Sequence, residues 1–228
     1  MKVIPILALL YSTTVLAQDV RIAGYDIPAL IQKDGTGEYD QKITNIQTKL
    51  SKTWQYKILP PARADKLFDA KALDCIFPYD RNFHPNKQTI NSLPLGIAQA
   101  YIYSNAGSSP IVNIKQLQGL RIGARIGMLY GPEFDSLNLH VEYVTTLEQN
   151  IDKIKQGRID AFVAWSPDSD AAFERKKMPP LPHGEPFVEH NDAILCHDTL
   201  KNRAFINNFN QAMLSLKGKM ANASSIKK

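Results

Sequence analysis

The chain carries the same order of secondary structure twice, and this repeat constrains its fold more than any other feature. The first copy has three β-like runs separated by two helical patterns, over residues 20–25, 39–52, 55–59, 61–72 and 73–77. The second copy has the same order over 120–125, 131–137, 139–144, 146–155 and 159–165. Such units predict parallel strands joined by right-handed crossovers. We therefore expect an α/β protein with two parallel-sheet lobes.

Two extended segments fit the connections between these lobes. One, over 97–104, lies between the copies, and the other, over 192–196, follows the second copy and precedes a helix predicted over 201–216. The length of 228 residues suits two small lobes. We assign 18–103 together with 193–228 to lobe 1, and 104–192 to lobe 2.

The N-terminus has the pattern of a secretory signal peptide. Lys2 precedes an apolar run over 3–10, and the small residue Ala17 precedes Gln18, which predicts a leader over 1–17 that is removed after Ala17. A membrane anchor would need about 20 apolar residues, whereas this stretch is interrupted by hydroxyl side chains over 12–14. Because no cysteine follows the cleavage site, a lipoprotein is not expected. We expect an exported, periplasmic protein.

The two cysteines, Cys75 and Cys196, allow a single disulfide. An oxidising compartment would permit that bond. Each cysteine lies in an apolar β-like run, so two buried, unpaired thiols are the alternative. The sequence leaves both possibilities open.

Charge and motifs argue against several classes of partner. The formal net charge of +5 comes from scattered residues, which does not predict a nucleic-acid surface. The histidines lack metal-ligand spacing, and neither G-x-G-x-x-G nor a phosphate loop is present. We expect no metal and no cofactor.

Several phrases resemble the bacterial extracellular solute-binding proteins of family 3. They are LRIGARIGMLYGPEFDSL over 120–137, EQNIDKIKQGRIDAFVA over 148–164 and PPARADKLFDAKALDCIFPYDR over 60–81. The resemblance implies a type II two-lobed periplasmic-binding-protein fold. It also implies a monomer that captures a small polar or anionic solute, amino-acid-like or related, by hinge closure. Its expected partner is an inner-membrane ABC permease.

Ligands of such sheets lie outside the carboxyl ends of the strands. In lobe 1 this rule selects Tyr25, Asp26, Arg63, Tyr79 and Arg81. An arginine fork suits a carboxylate, and tyrosines stack on or hydrogen-bond to a ligand. In amino-acid-binding relatives an arginine in the loop after the third strand holds the ligand carboxylate. Arg81 stands earlier than that position, so it and Arg63 are also interpreted as solvated surface arginines.

In lobe 2 the loop that enters the first helix offers free backbone amides to an anion. Its candidate ligand residues are Arg125, Gly127, Met128 and Tyr130. The third strand of lobe 2 ends in Trp165, where amino-acid-binding relatives commonly carry an acidic residue. Trp165 could form an aromatic wall, a cation–π face or hinge packing.

The acidic group of lobe 2 could instead come from Asp168. Two alternatives to transport remain open. One is a stand-alone binding or sensory protein that presents its solute to a sensor protein. The other is a periplasmic dehydratase-like enzyme on the same fold, with Asp26, Asp80 and Asp168 as acid or base groups. We favour binding without catalysis, because nothing in the spacing requires a reaction.

Overall fold

The computed structural model describes residues 20–50, 54–83 and 88–225, with side chains as far as 216. The predicted leader over 1–17 lies outside these residues. The described residues form six α-helices and nine strands: β1 (Ile22–Tyr25), α1 (Glu38–Leu50), β2 (Tyr56–Leu59), α2 (Pro61–Asp69), β3 (Cys75–Tyr79), β4 (Thr89–Asn91), β5 (Gly96–Ser104), β6 (Arg121–Arg125), α3 (Pro132–Asp135), β7 (His140–Val144), α4 (Leu147–Lys155), β8 (Ala161–Ser166), α5 (Asp168–Arg175), β9 (Val188–His197) and α6 (Leu200–Ser225).

Lobe 1 is built on three parallel strands in the order β2-β1-β3. All four residues of β1 are buried, as expected for a parallel strand covered on both faces. Helix α1 buries Tyr39, Ile43 and Ile46 at helical spacing, and it packs on α6. Helix α2 starts at Pro61, where the missing N–H costs no helical hydrogen bond.

Lobe 2 repeats this arrangement with β7-β6-β8 in parallel. Its two apolar clusters are separate from the lobe 1 core; one surrounds Trp165 and Phe134, and the other surrounds Phe162 and Phe173. Thr146 immediately precedes helix α4 and forms a capping box with Gln149. The expected α/β fold with two parallel-sheet lobes is confirmed.

The repeat extends to the ion pair at the start of each lobe. Arg21, just before β1, donates to both carboxylate oxygens of Asp74 and to a nearby backbone carbonyl. Arg121, which begins β6, donates in the same way to Asp160. In both lobes this bidentate pair joins the amino ends of the first and third strands. The carboxyl ends of the strands, where a ligand is expected, therefore lie at the opposite edge.

Two antiparallel strands join the lobes into one sheet. Strand β9 pairs with β5 along residues 188–192 and with β3 and β4 beyond that point. The segment over 192–196 is thus the crossing part of β9, as predicted. The segment over 97–104 lies in β5, which pairs with β9 along its first half and with β8 along its second half. Strand β4 and helix α5 had no counterpart in the sequence prediction.

The two cysteines form a disulfide. Cys75 on β3 and Cys196 on β9 are directly opposite each other in the antiparallel pair, with their sulfur atoms 2.01 Å apart. The bond closes a loop with a sequence separation of 121 residues. It therefore ties the first half of the chain to the crossing strand, and the alternative of two free thiols is not what the structure contains.

Replacing Cys75 and Cys196 together with alanine should lower the free energy of unfolding by about 2–5 kcal/mol. The cause is the loss of a long covalent loop, which restricts the unfolded chain. Urea unfolding of the wild type and the double variant measures the difference. Alkylation of the denatured wild type without reductant should add no label. Two labelled thiols in that sample would contradict the disulfide.

Candidate functional site

A cavity lies between the lobes at the carboxyl ends of β1, β3 and β8. Its volume is about 40 Å³, room for a few water molecules. The crossing strand β9 contributes one wall. The lining residues are mostly apolar or aromatic: Tyr25, Ile27, Leu30, Asp65, Pro78, Tyr79, Phe83, Ala98, Gly127, Met128, Leu129, Trp165, Ser166, Pro167, Asp168, His190 and Asp192.

Aromatic rings form a continuous wall of the cavity. In lobe 1, Tyr79 contacts Tyr25 and Phe83 edge to face, with ring centroids 6.0 and 6.1 Å apart. In lobe 2, Trp165 stacks on His190 of β9 at 4.2 Å with a 9° angle between the ring planes. The Trp165 indole N–H donates to the Leu129 carbonyl at 2.9 Å. Trp165 thus lines the cavity and packs against the crossing strand, and its contact with a ligand stays a prediction.

Arg125 joins the two lobes at the cavity. It ends β6 and is buried, and its Nη1 donates to Asp168 at 2.9 Å. Its Nη2 donates to the backbone carbonyl of Asp26 in lobe 1 at 2.5 Å, and its Nε to the Thr145 carbonyl at 3.3 Å. The hydroxyl of Tyr130 accepts from the Arg125 backbone N–H. One guanidinium therefore pairs a buried carboxylate and spans the lobes.

Asp168 has an unusual protonation equilibrium. It is the first residue of α5 and is almost fully buried. Burial raises its pKa to about 6, although the charge and the hydrogen bond of Arg125 act in the opposite direction. Desolvation therefore outweighs the ion pair at this site.

Gly127 and Met128 bring lobe 2 against the start of α2. Gly127 has φ +77°, and a Cβ there would lie 2.5 Å from the backbone nitrogen of Ala62. Only glycine permits this approach without displacement. Met128 packs against apolar clusters of both lobes. The backbone of the loop after β6 thus lies against lobe 1 at this edge of the cavity.

The crossing strand supplies polar groups that the sequence analysis missed. Asp192 is buried and accepts from the Tyr39 hydroxyl at 2.6 Å, and its other oxygen lies 3.0 Å from His190 Nε2. The other ring nitrogen of His190, Nδ1, is buried and has no hydrogen-bond partner within the described residues. The sequence over 188–192, Val-Glu-His-Asn-Asp, has no apolar alternation that would have marked it as a strand, and only 192–196 was interpreted as a connection.

The predicted site residues fall into three groups. Six line the cavity: Tyr25, Tyr79, Gly127, Met128, Trp165 and Asp168. Three others lie next to it, since Arg125 and Tyr130 stand behind Asp168 and Asp26 offers its carbonyl. Arg63 and Arg81 are exposed and are not among the lining residues. Their contact with a ligand stays a prediction.

Asp80, one of the residues considered as an acid or base group, holds a turn in place through two hydrogen bonds. One carboxylate oxygen accepts from the Asn82 backbone N–H at 2.8 Å, and the other accepts from the Asn191 backbone N–H at 3.1 Å. It therefore fastens the turn after β3 to the crossing strand. Within the described residues, no group of histidine, cysteine and acidic side chains could hold a metal ion.

No known protein-family profile and no curated protein matches the chain by sequence. Solved structures do match its fold over most of its length. The chain has the fold of type II periplasmic binding proteins. One similar structure is the substrate-binding protein of an amino acid ABC transporter, with 17% identity and a TM-score of 0.69 over 88% of this chain and 94% of that one.

Two other structures of this fold are a ligand-binding core and a sensor domain. The GluR0 ligand-binding core from Nostoc punctiforme, in complex with L-glutamate, has 16% identity and a TM-score of 0.71 over 90% of this chain and 96% of that one. A histidine kinase sensor domain with similarity to periplasmic binding proteins has 12% identity and a TM-score of 0.71 over 91% and 94%. At such identities the likeness establishes the fold of this chain and no residue role.

Asp168→Asn should change how stability depends on pH. A carboxyl group whose pKa is about 6 when folded and about 3.9 when unfolded stabilises the fold below the lower value and loses that contribution as pH rises through the higher one. Relative to the variant, the wild type should lose on the order of 2 kcal/mol of unfolding free energy between about pH 4 and pH 7. Urea unfolding across this range measures the difference.

The matched control is Asp170→Asn, an exposed position in the same turn of α5. Its pH profile should run parallel to that of the wild type. An Asp168→Asn profile that also ran parallel would contradict the raised pKa.

Proposed function

We propose that this protein is a periplasmic solute-binding protein. It captures a small polar solute, amino-acid-like or related, in the cavity between its lobes, and the lobes close around the solute. The observation that carries the proposal is the hydrogen bond from Arg125 of lobe 2 to the Asp26 carbonyl of lobe 1, beside that cavity. A site with walls in both lobes favours whichever arrangement contacts the ligand best, so binding energy is available to drive closure.

Delivery to an ABC permease is the first candidate role. The similarity to a substrate-binding protein of an amino acid ABC transporter supports it. Presentation of the solute to a sensor, or binding without a dedicated transporter, is the alternative, supported by the similarity to a sensor domain. Because the same fold serves both roles, the fold does not identify the partner, and a permease partner is part of the proposal.

Binding without catalysis is also part of the proposal. Of the solved structures named above, one is a substrate-binding protein and one is a ligand-binding core, which supports a binding role. We also propose that the protein is a monomer and that its leader directs its export. None of the described helices is long and apolar enough to span a bilayer.

Solute binding is tested by thermal unfolding of the purified protein in the presence of single amino acids, amines, organic acids, small peptides and sugars. A ligand at about 1,000 times its dissociation constant stabilises a protein by about 4 kcal/mol, a shift on the order of 10 °C at this size. We expect at least one compound to produce such a shift. A flat screen with folded protein would contradict the proposal, and conversion of a bound compound to product would favour the dehydratase-like alternative.

Closure is tested by Gly127→Ala. The added methyl group meets Ala62 of the other lobe, so it should oppose the closed arrangement and weaken binding of the screened solute by about tenfold or more, equivalent to about 1.4 kcal/mol. Gly119→Ala is the matched control, because Gly119 has φ +79° but nothing within 4 Å of the added atom. Equal affinities of the two variants, measured by calorimetry, would show that this contact does not take part in binding.

A further inference from the structure

The carboxylates of the cavity wall are bound to other groups of the protein. Asp65 of α2 accepts a hydrogen bond from the hydroxyl of Tyr25, which also lines the cavity. Asp168 of α5 accepts from the guanidinium of Arg125 at 2.9 Å. At each of these positions a charged or polar group of a solute would therefore compete with a bond that is already made.

The polar side chains near the crossing strand are bound in the same way. Asp192 accepts from the Tyr39 hydroxyl at 2.6 Å, and its other oxygen lies 3.0 Å from His190 Nε2. The hydroxyl of Ser166, at the end of β8, donates to Asp170 at 2.5 Å. These side chains have partners within the protein, so the wall presents few polar side-chain atoms to a solute.

Two backbone amides of the wall differ from these side chains. The N–H groups of Gly127 and Leu129 have no hydrogen-bond partner among the described residues. They suit an oxygen acceptor of the solute, and a neutral carbonyl meets that need as well as a carboxylate does. The amides therefore provide for a polar end of the solute without selecting its charge.

Most of the remaining wall is aliphatic or aromatic. Ile27, Leu30 and Pro78 line it in lobe 1, and Met128 and Leu129 line it in lobe 2. An apolar group that covers such a surface in place of water lowers the free energy by an amount that grows with the contact area. A polar group in the same place would lose its bonds to water and gain none.

Phe83 contacts rings from every part of this wall. It belongs to lobe 1, and its ring meets Tyr79 of the same lobe edge to face, with ring centroids 6.1 Å apart. The centroid of the same ring lies 6.4 Å from that of Trp165 in lobe 2 and 5.1 Å from that of His190 on the crossing strand. The side chain also packs against apolar clusters of both lobes. An apolar group held between the lobes would therefore contact Phe83.

We propose that the solute is an amino-acid-like compound with an apolar side group, aliphatic or aromatic, and that this group packs on the Phe83 ring in the cavity wall. The inference rests on the proposed function and narrows it, because an amino-acid-like solute could equally carry a charged or amide side group. The polar end of the solute bonds to the amides of Gly127 and Leu129.

Pairs of amino acids with similar shape and different polarity test this class of solute. The pairs are valine with threonine, leucine with asparagine, methionine with glutamine, and phenylalanine with 4-pyridylalanine, each titrated calorimetrically into the purified protein. Because a polar group buried without a partner is costly, we expect at least one apolar member to bind at least about tenfold more tightly than its polar counterpart. If some probes bind and no pair reaches this ratio, the inference is overturned and the proposed function stays intact.

Absence of binding by all the probes would also overturn the inference. Binding of a sugar or an organic acid in the thermal screen would then still support a solute-binding protein, whereas a flat screen would remove both proposals. The two failures are therefore distinguishable.

Phe83→Ala tests the assigned residue. Without the ring the side group of the solute loses apolar contact, so the variant should bind the tightest apolar probe about tenfold or more weakly. Its polar counterpart should lose less, so the ratio between the two affinities should fall. Phe83→Leu keeps an apolar side chain and should recover part of the lost affinity. An unchanged ratio in both variants would overturn the role of Phe83.

Phe205→Ala is the matched control. Phe205 is likewise a half-buried phenylalanine of lobe 1, but its ring packs on Trp54 and is outside the cavity lining. This variant should alter the affinity for the same probe by less than about twofold, because no contact with the solute is lost. Equal affinities of the Phe83→Ala and Phe205→Ala variants would also contradict the assignment.

Discussion

The structure depends on one strand that belongs to both lobes. Strand β9 gives its first half to the sheet of lobe 2 and its second half to that of lobe 1, where the disulfide of Cys75 and Cys196 fixes it. Because the backbone ladder continues through this crossing, the carboxyl ends of both sets of parallel strands face one cavity. His190 and Asp192 lie at the crossing and place polar groups in the cavity wall. Because both residues belong to the shared strand, these groups move with it when the lobes move.

In the proposed function, closure depends on the contacts that Arg125 makes in both lobes. Arg125 forms an ion pair with Asp168 and donates a hydrogen bond to the Asp26 carbonyl of lobe 1. These bonds hold the lobes together and leave few guanidinium N–H groups for a ligand carboxylate. Low polarity in the cavity strengthens every remaining electrostatic contact. A solute that enters would contact side chains of both lobes, and its binding energy would stabilise the arrangement in which those lobes touch. This is how a small ligand could control the position of two larger bodies.

The sequence predicted most of the fold, because apolar periodicity records which face of each element is buried. It missed α5, since the segment after Pro167 is rich in serine and aspartate and resembles a loop. It treated 97–104 as a connection, because periodicity identifies a strand but not its hydrogen-bonded neighbours. Periodicity and length also could not decide the disulfide, which required the register that places Cys75 opposite Cys196.

The site was predicted less completely than the fold. The rule that ligands lie beyond strand ends located Tyr25, Tyr79, Trp165 and Asp168 in the cavity wall. It could not find Asp65 and Asp192, which face the cavity from the body of a helix and from the middle of a strand. It could not show that the amides of Ile126, Met128 and Tyr130 in the loop after β6 are already bonded, because internal hydrogen bonds depend on loop conformation. Position along the chain likewise does not determine where a long arginine side chain points.

The central claim is that a solute in this cavity brings the two lobes together. Small-angle X-ray scattering of the protein, with and without a saturating compound from the thermal screen, measures this most directly. The account predicts a smaller radius of gyration in the bound sample. An unchanged radius of gyration at proven saturation would contradict closure of the lobes around the ligand.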